Sequence, residues 1–322
     1  MKYQFKITGS GYYLPPHIET AEDLSSKVGK DSDWIISKTG VSERRVSDID
    51  VDKMGALAGE KAIGSKPPPD LIINASGVPK QTIPDTSIFI QKELGYEGIP
   101  SFSIHSTCLS FISALNVAGS LIQSKSYKRI LIVSSDRGTR GRNFTEPESA
   151  SLLGDAAAAI YLEEGESENQ GIVDSEMESW PDGAHLTEVR GGGTNLHPQD
   201  STTKDADNLF SMSGPEVFRY ALPKVHSMIQ RILKNNNISQ SDIDLLIPHQ
   251  ASGRGVKAYS RFGGFNQDRV MNIVEKTGNC VAASLPLALS IAYERDLVKK
   301  DSLIFLVGTG AGLSISCSII RL

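Results

Sequence analysis

Three features of the 322-residue sequence predict an α/β fold of stacked sheets and helices. Short, near-continuous apolar runs such as RILIVSS and DLLIPH suit strands buried on both faces. These runs alternate with stretches of helical periodicity, the pattern of layered α/β proteins. A look-alike unit also occurs twice. SFSIHSTCLSFISALNVAGSLI and VMNIVEKTGNCVAASLPLALSIAYE each read as strand, tight turn and helix, and each precedes an apolar strand. Any α/β chain can show such pairs, so the repeat by itself leaves duplication open.

In chain order, strands are expected at Tyr3–Gly9, Asp70–Ala75, Ser101–Ile104, Arg129–Ser134 and Ala157–Leu162. Three more are expected at Asp244–Pro248, Ser302–Val307 and Leu313–Arg321. Helices are expected at Cys108–Ser124, Gly214–Asn235 and Ala282–Asp296, with Pro223 placed to bend the second. The segment Glu163–Asp207, with twelve acidic residues against two basic, loses periodicity after Met177 and reads as a connecting and covering region. Two halves, 1–165 and 166–322, account for the length.

Composition narrows the function classes. A net charge of −5 and a pI near 5.7 argue against nucleic acid as the main partner. Three cysteines are too few for a secreted disulfide scaffold. The first ten residues do not resemble a secretory leader, and no apolar run reaches membrane-spanning length, so a cytoplasmic enzyme or large scaffold with no membrane association is expected.

Three residues stand where chemistry could occur. Cys108 lies where a strand gives way to a helix, and the positive end of a helix dipole there should lower its pKa and favour thiolate. Alone, it equally fits a small buried cysteine. His249 in LLIPHQASGR follows a strand directly, the end of the sheet where α/β sites collect, and could otherwise bond only its own loop. Asn279 in KTGNCVAASLP could donate to a developing oxyanion, or simply tolerate its turn. Together they look like a nucleophile with two polarising groups. Cys280 reads as a turn neighbour and Cys317 as strand packing. Neither glycine cluster suits a phosphate loop: Gly308–Gly312 is followed by a strand, and Gly191–Gly193 reads as an irregular connection.

At this point the sequence resembles the beta-ketoacyl-acyl-carrier-protein synthase III group of thiolase-superfamily condensing enzymes. The matching stretches run in family order: DSDWIISKTGVSERR, STCLSFISAL, LLGDAAAAIYL, MSGPEVFRYA, IPHQASGR, KTGNCVAASLPLAL and LVGTGAGLSISCSIIRL. The resemblance implies a duplicated five-layered αβαβα thiolase-like fold, a homodimer and a place in fatty acid biosynthesis. It implies acyl transfer to Cys108 and then decarboxylative condensation with malonyl-acyl carrier protein, polarised by His249 and Asn279. Oxyanion donors would be the Cys108 amide and one from Gly308–Gly312.

No permanently bound cofactor is implied, only thioesters of coenzyme A or acyl carrier protein as substrates. Trp34, Phe218, Arg219, Ser252 and Arg254 fall where the family holds the thioester arm. Arg219, Arg254, Lys257 and Arg261 could form a basic landing site for an acidic carrier protein, because Ser211–Lys276 holds nine basic residues against five acidic.

Two departures are visible. The family arginine that pairs with the Trp34 position on adenine falls at or near Pro147. Arg137, Arg140, Arg142 and Lys80 lie near the expected acyl pocket, where a free cation would select a dicarboxylic acyl group, as in biotin priming. Also compatible with these residues are transfer to an oxygen or nitrogen nucleophile, condensation with another 3-ketoacyl unit, and the role of an inactive partner subunit.

Overall fold

The computed structural model describes residues 2–167 and 169–322. Two five-stranded sheets, alike in topology over four strands each, carry it. The first runs Lys6–Tyr13, Asp155–Glu163, Arg129–Arg137, Leu71–Asn74, Ser101–Ser103. The second runs Tyr3–Gln4, Gly171–Ser179, Ser314–Arg321, Leu303–Gly310, Leu245–Pro248. In each, two long antiparallel pairings lead into a parallel one. The parallel edge strand Ser101–Ser103 has a counterpart in a single bridge between Leu246 and Val270.

Helices Ser110–Gln123 and Ser284–Glu294 lie between the sheets. Every residue from Ser284 to Ala292 is buried, as expected of a helix that meets protein on all sides. Phe111, Ile112, Leu115, Ala118 and Ile122 of the other helix join it in one core with residues of both sheets. Val51–Ile63 covers the outer face of the first sheet, and Gly214–Asn235 that of the second. The layers are therefore α, β, α, β, α, the duplicated thiolase-like arrangement.

Several expectations change in detail. The first strand is two: Tyr3–Gln4 pairs in the second sheet, and after Phe5 the chain crosses to the first. Tyr3–Gln4 thus sits structurally with residues beyond 165. The acidic segment contains a nine-residue strand, Gly171–Ser179, paired along its length with Ser314–Arg321. Pro223 lies inside Gly214–Asn235, which continues through it as one 22-residue helix. The glycine-rich Gly308–Gly312 stretch is the end and turn of a β-hairpin, and Gly191 lies in a loop bonded to Asp207. Among the described residues, no helix is long and apolar enough to cross a membrane.

Candidate active site

Cys108 occupies a sharp turn rather than a helix end. The helix begins at Ser110, Leu109 caps it without a side-chain bond, and Thr107 takes a left-handed φ of 51°. The turn is held by the Ser106 amide donating to Ser110 Oγ at 2.9 Å and by Leu109 N–H on Ser106 O at 3.0 Å. Such backbone strain in a non-glycine residue survives only where its surroundings fix it. Here Gly310 leaves the room: a Cβ there would lie 2.6 Å from Thr107 Oγ1.

The thiolate expectation fails. Burial, then the nearby Asp136 carboxylate, push the thiol up to about 12. The backbone N–H groups of Cys108 and Ala311 act on the sulfur in the opposite sense. The helix dipole starts too late in the chain to offset burial. At neutral pH Cys108 is a protonated thiol with two backbone amides beside it.

His249 follows Leu245–Pro248, its N–H on Val307 O at 2.8 Å. The side chain fits because residue 308 is glycine: a Cβ on Gly308 would sit 2.8 Å from His249 Cβ and 3.1 Å from Leu109 Cδ2. This places the imidazole against the Cys108 turn. Burial lowers its pKa to about 4, so at neutral pH the ring is uncharged. Nδ1 is buried and finds no hydrogen-bond partner among the described residues. In the Nε2–H tautomer that unpartnered Nδ1 is the bare nitrogen and Nε2 carries the donor.

Asn279 is clamped on both sides. Its N–H donates to Leu152 O at 2.7 Å, and its carbonyl accepts from Gly154 N–H at 3.0 Å. The Val281 amide donates to Oδ1 at 2.9 Å, which fixes which way the side-chain amide faces. Nδ2 donates to Ala251 O at 3.4 Å, and Ala251 N–H bonds His249 O at 2.9 Å. One hydrogen of Nδ2 remains for a ligand.

Sequence reasoning passed over Asp136. This buried carboxylate accepts from Gly77 and Val78 at 2.9 and 2.8 Å, and from Ala283 at 3.1 Å. Burial raises it to about 7, against the pull of those amides and that of Ala282. It ties a loop of the first sheet to the turn after Asn279. An aspartate closing an apolar strand, SSD, was the available signal.

A cavity of about 350 Å³ lies between helices Gly214–Asn235 and Gly253–Gly263 and reaches His249 and Thr309. Phe218, Ser252, Arg254, Lys38 and Glu148 line it, so three of the five predicted arm-binding residues meet there. Trp34 and Arg219 do not line it. Trp34 is half-buried under Lys30, 5.5 Å from its ring centre, and Arg219 is exposed on the helix surface. Ser252 caps the second helix by accepting from Gly255 N–H at 3.1 Å. Lys257 and Arg261 are exposed on that helix. Pro147 opens a one-turn helix between Glu146 and Glu148, so acidic rather than basic side chains flank it.

Of the four cations considered for a dicarboxylic substrate, three are tied to carboxylates. Lys80 bonds Asp52 at 2.7 Å and Asp50 at 3.0 Å. Arg137 reaches Ser47 O at 2.6 Å and faces Asp50 at 3.7 Å, and Arg142 pairs with buried Glu19. Arg140 is exposed.

The sequence matches the family described as 3-oxoacyl-(acyl-carrier-protein) synthase III over residues 102–181, and the C-terminal region of that family over residues 233–322. It is 33% identical to the beta-ketoacyl-(acyl-carrier-protein) synthase III of Rickettsia bellii, over 98% of this chain and 99% of that one. Identity to the synthase III of Syntrophomonas wolfei is 31%, over 100% and 98%. The crystal structure of 3-oxoacyl-(acyl-carrier-protein) synthase III from Aquifex aeolicus superposes with a TM-score of 0.89 at 28% identity, covering 99% of this chain and 100% of that one. The enzyme from Pseudomonas aeruginosa gives 0.89 at 26%, covering 99% and 98%.

Proposed function

The chain belongs to the 3-oxoacyl-(acyl-carrier-protein) synthase III family, and from that membership we propose that it condenses an acyl thioester with malonyl-acyl carrier protein. In the first step Cys108 Sγ attacks the acyl carbonyl. The sulfur–carbon bond forms, the donor's thioester bond breaks, and the proton of Cys108 leaves with the departing thiol. In the second step malonyl-acyl carrier protein places its thioester oxygen on His249 Nε2–H and the free Asn279 Nδ2–H. Both are neutral donors, aimed where negative charge develops as carbon dioxide departs. The enolate carbon attacks the acyl carbon on Cys108, the amides of Cys108 and Ala311 take the tetrahedral oxyanion, and its collapse expels Cys108 as a thiolate, which takes a proton from solvent to restore the resting thiol.

The observation that carries this reading is the convergence of the Cys108 turn and His249 on Gly308 and Gly310, with Asn279 bound to the adjoining Ala251. The cavity between the two outer helices is read as the channel for the thioester arm. The exposed Arg254, Lys257, Arg261 and Arg219 are read as the steering surface for the acidic carrier protein. Pro147 stands where the family's adenine-pairing arginine falls, which favours a donor held on carrier protein over free coenzyme A.

The edge strand Ser101–Ser103 and exposed Phe102, Ile83 and Ile88 beside it support a homodimer built across that edge. The halves are taken as 1–165 and 166–322, and the site of action as the cytoplasm.

The test separates the two steps. Intact-mass spectrometry of the His249→Ala and Asn279→Ala proteins should still show an acyl adduct, while neither makes 3-oxoacyl product at the parent rate. An adduct on any residue other than Cys108 would contradict the assignment.

A further inference from the structure

One fully buried cation takes no part in the chemistry above. Arg44, in the strand Glu43–Arg45, is 0% exposed. Its Nη2 donates to Ser151 O at 3.1 Å, and its Nη1 lies 3.8 Å from Glu19 Oε2. Nε and Nη1 have no hydrogen-bond partner among the described residues. Glu19, itself buried, also pairs with Arg142 and bonds Lys27 at 2.7 Å. Burying an incompletely bonded guanidinium is costly, and an apolar side chain of similar volume would fill the space at lower cost.

What Arg44 touches is the support of Asn279. Ser151, whose carbonyl it holds, begins the Ser151–Gly154 ledge, and that ledge supplies both backbone bonds that clamp Asn279. Arg44 Cβ would lie 3.4 Å from a Cβ on Gly154 and 3.3 Å from one on Gly278. These are the residues on either side of that clamp. The residue just before that strand is anchored to the approach to Asn279: Ser42 N and Oγ both donate to Glu275 O, at 2.9 and 3.0 Å. None of these bonds reaches the Cys108 turn.

We propose that Arg44, held by the Ser151 carbonyl and facing Glu19, is a positioning residue for Asn279, setting the condensation step while leaving acylation of Cys108 untouched. The proposal rests on the role given to Asn279 above.

The test compares Arg44→Met, Arg44→Lys and Asn279→Ala, singly and with each Arg44 change combined with Asn279→Ala, in the full-length protein. Acylation of Cys108 is followed by intact mass, and condensation by single turnover of preformed acyl-enzyme with malonyl-acyl carrier protein. Arg44→Met should acylate within twofold of the parent and condense about ten- to a hundredfold more slowly, the scale expected of a misplaced donor. KM for malonyl-acyl carrier protein should change little. In the Asn279→Ala background the Arg44 change should add nothing, because residues acting through one another are not additive.

Should Arg44→Met fail to fold, Arg44→Lys, which keeps the charge but not the planar reach, carries the same expectations at smaller size. The proposal is overturned by parent-rate condensation in a folded Arg44 variant, by equal slowing of both steps, or by an undiminished Arg44 effect in the Asn279→Ala background. Parent-rate condensation by Asn279→Ala alone would overturn the role of Asn279 itself.

Discussion

The two halves build the same strand–turn–helix unit and use it differently. In the first, Ser106 N–H bonds Ser110 Oγ and Thr107 has a φ of 51°; in the second, Cys280 N–H bonds Ser284 Oγ and Val281 has a φ of 51°. Cys108 is therefore the counterpart of Ala282. Ala75 and His249 are likewise counterparts: their amides bond Val133 O and Val307 O at 2.7 and 2.8 Å. Ser134 beside Ala75 becomes Gly308 beside His249, and the imidazole takes the vacated space. Asp136 in the first half matches Gly310 in the second. The Asp136 carboxylate takes up the amides of Ala282 and Ala283, whereas opposite Gly310 no carboxylate among the described residues occupies the amide of Cys108. A buried carboxyl group fills in one half the place that, in the function proposed above, a substrate's oxyanion takes in the other.

Substitutions that break this asymmetry should be ranked by which open position they close. Cys108→Ala removes the group that the second half lacks, and covalent acylation should fall by at least about a thousandfold, as read by intact mass. His249→Ala or Asn279→Ala should each lower condensation by about 10²- to 10³-fold, the cost of one oxyanion donor, when product is followed after acylation is complete. Gly310→Ala should slow acylation by about tenfold or more, because its Cβ drives Thr107 and the nucleophile turn aside, whereas Gly308→Ala should strike condensation through His249.

Asp136→Asn tests the carboxylate's influence on the thiol. With the negative charge gone, the pH profile of Cys108 alkylation should move to lower pH. An unmoved profile in a folded variant would remove Asp136 from the account.

The smallest effect is on stability. His249 is lowered in the fold to about 4 from 6.5, so the unfolded chain binds more protons between those values and stability falls as pH drops through that window. Relative to His249→Gln, the parent should lose on the order of 3 kcal/mol from pH 7 to pH 4, by chemical denaturation at each pH.

The sequence displayed most of this framework, because buried strands and helices leave periodic signatures. The three candidate catalytic residues stand at strand ends and turns, where residue type alone raised the question and the family resemblance supplied the proposed roles. Gly171–Ser179 was hidden because its outward positions include Asp174, Glu176 and Glu178, which bond Asn236 at the end of the covering helix and Arg231 on it. The split after Gln4 was hidden because both pieces read as one apolar strand. The raised thiol, Asp136 and Arg44 depend on contacts between distant segments: Arg44 and Ser151 are 107 residues apart. No local pattern encodes such a contact.

The most direct test of the central claim is a chase experiment. The protein is incubated with an acyl thioester, freed of excess donor, mapped by peptide mass spectrometry, and then mixed with malonyl-acyl carrier protein. The account predicts one acyl group per chain on Cys108. On mixing, that group should leave with equal release of carbon dioxide and appearance of 3-oxoacyl-acyl carrier protein. A Cys108 adduct that persists after malonyl-acyl carrier protein is added, or product formed at the parent rate by Cys108→Ala, would contradict it.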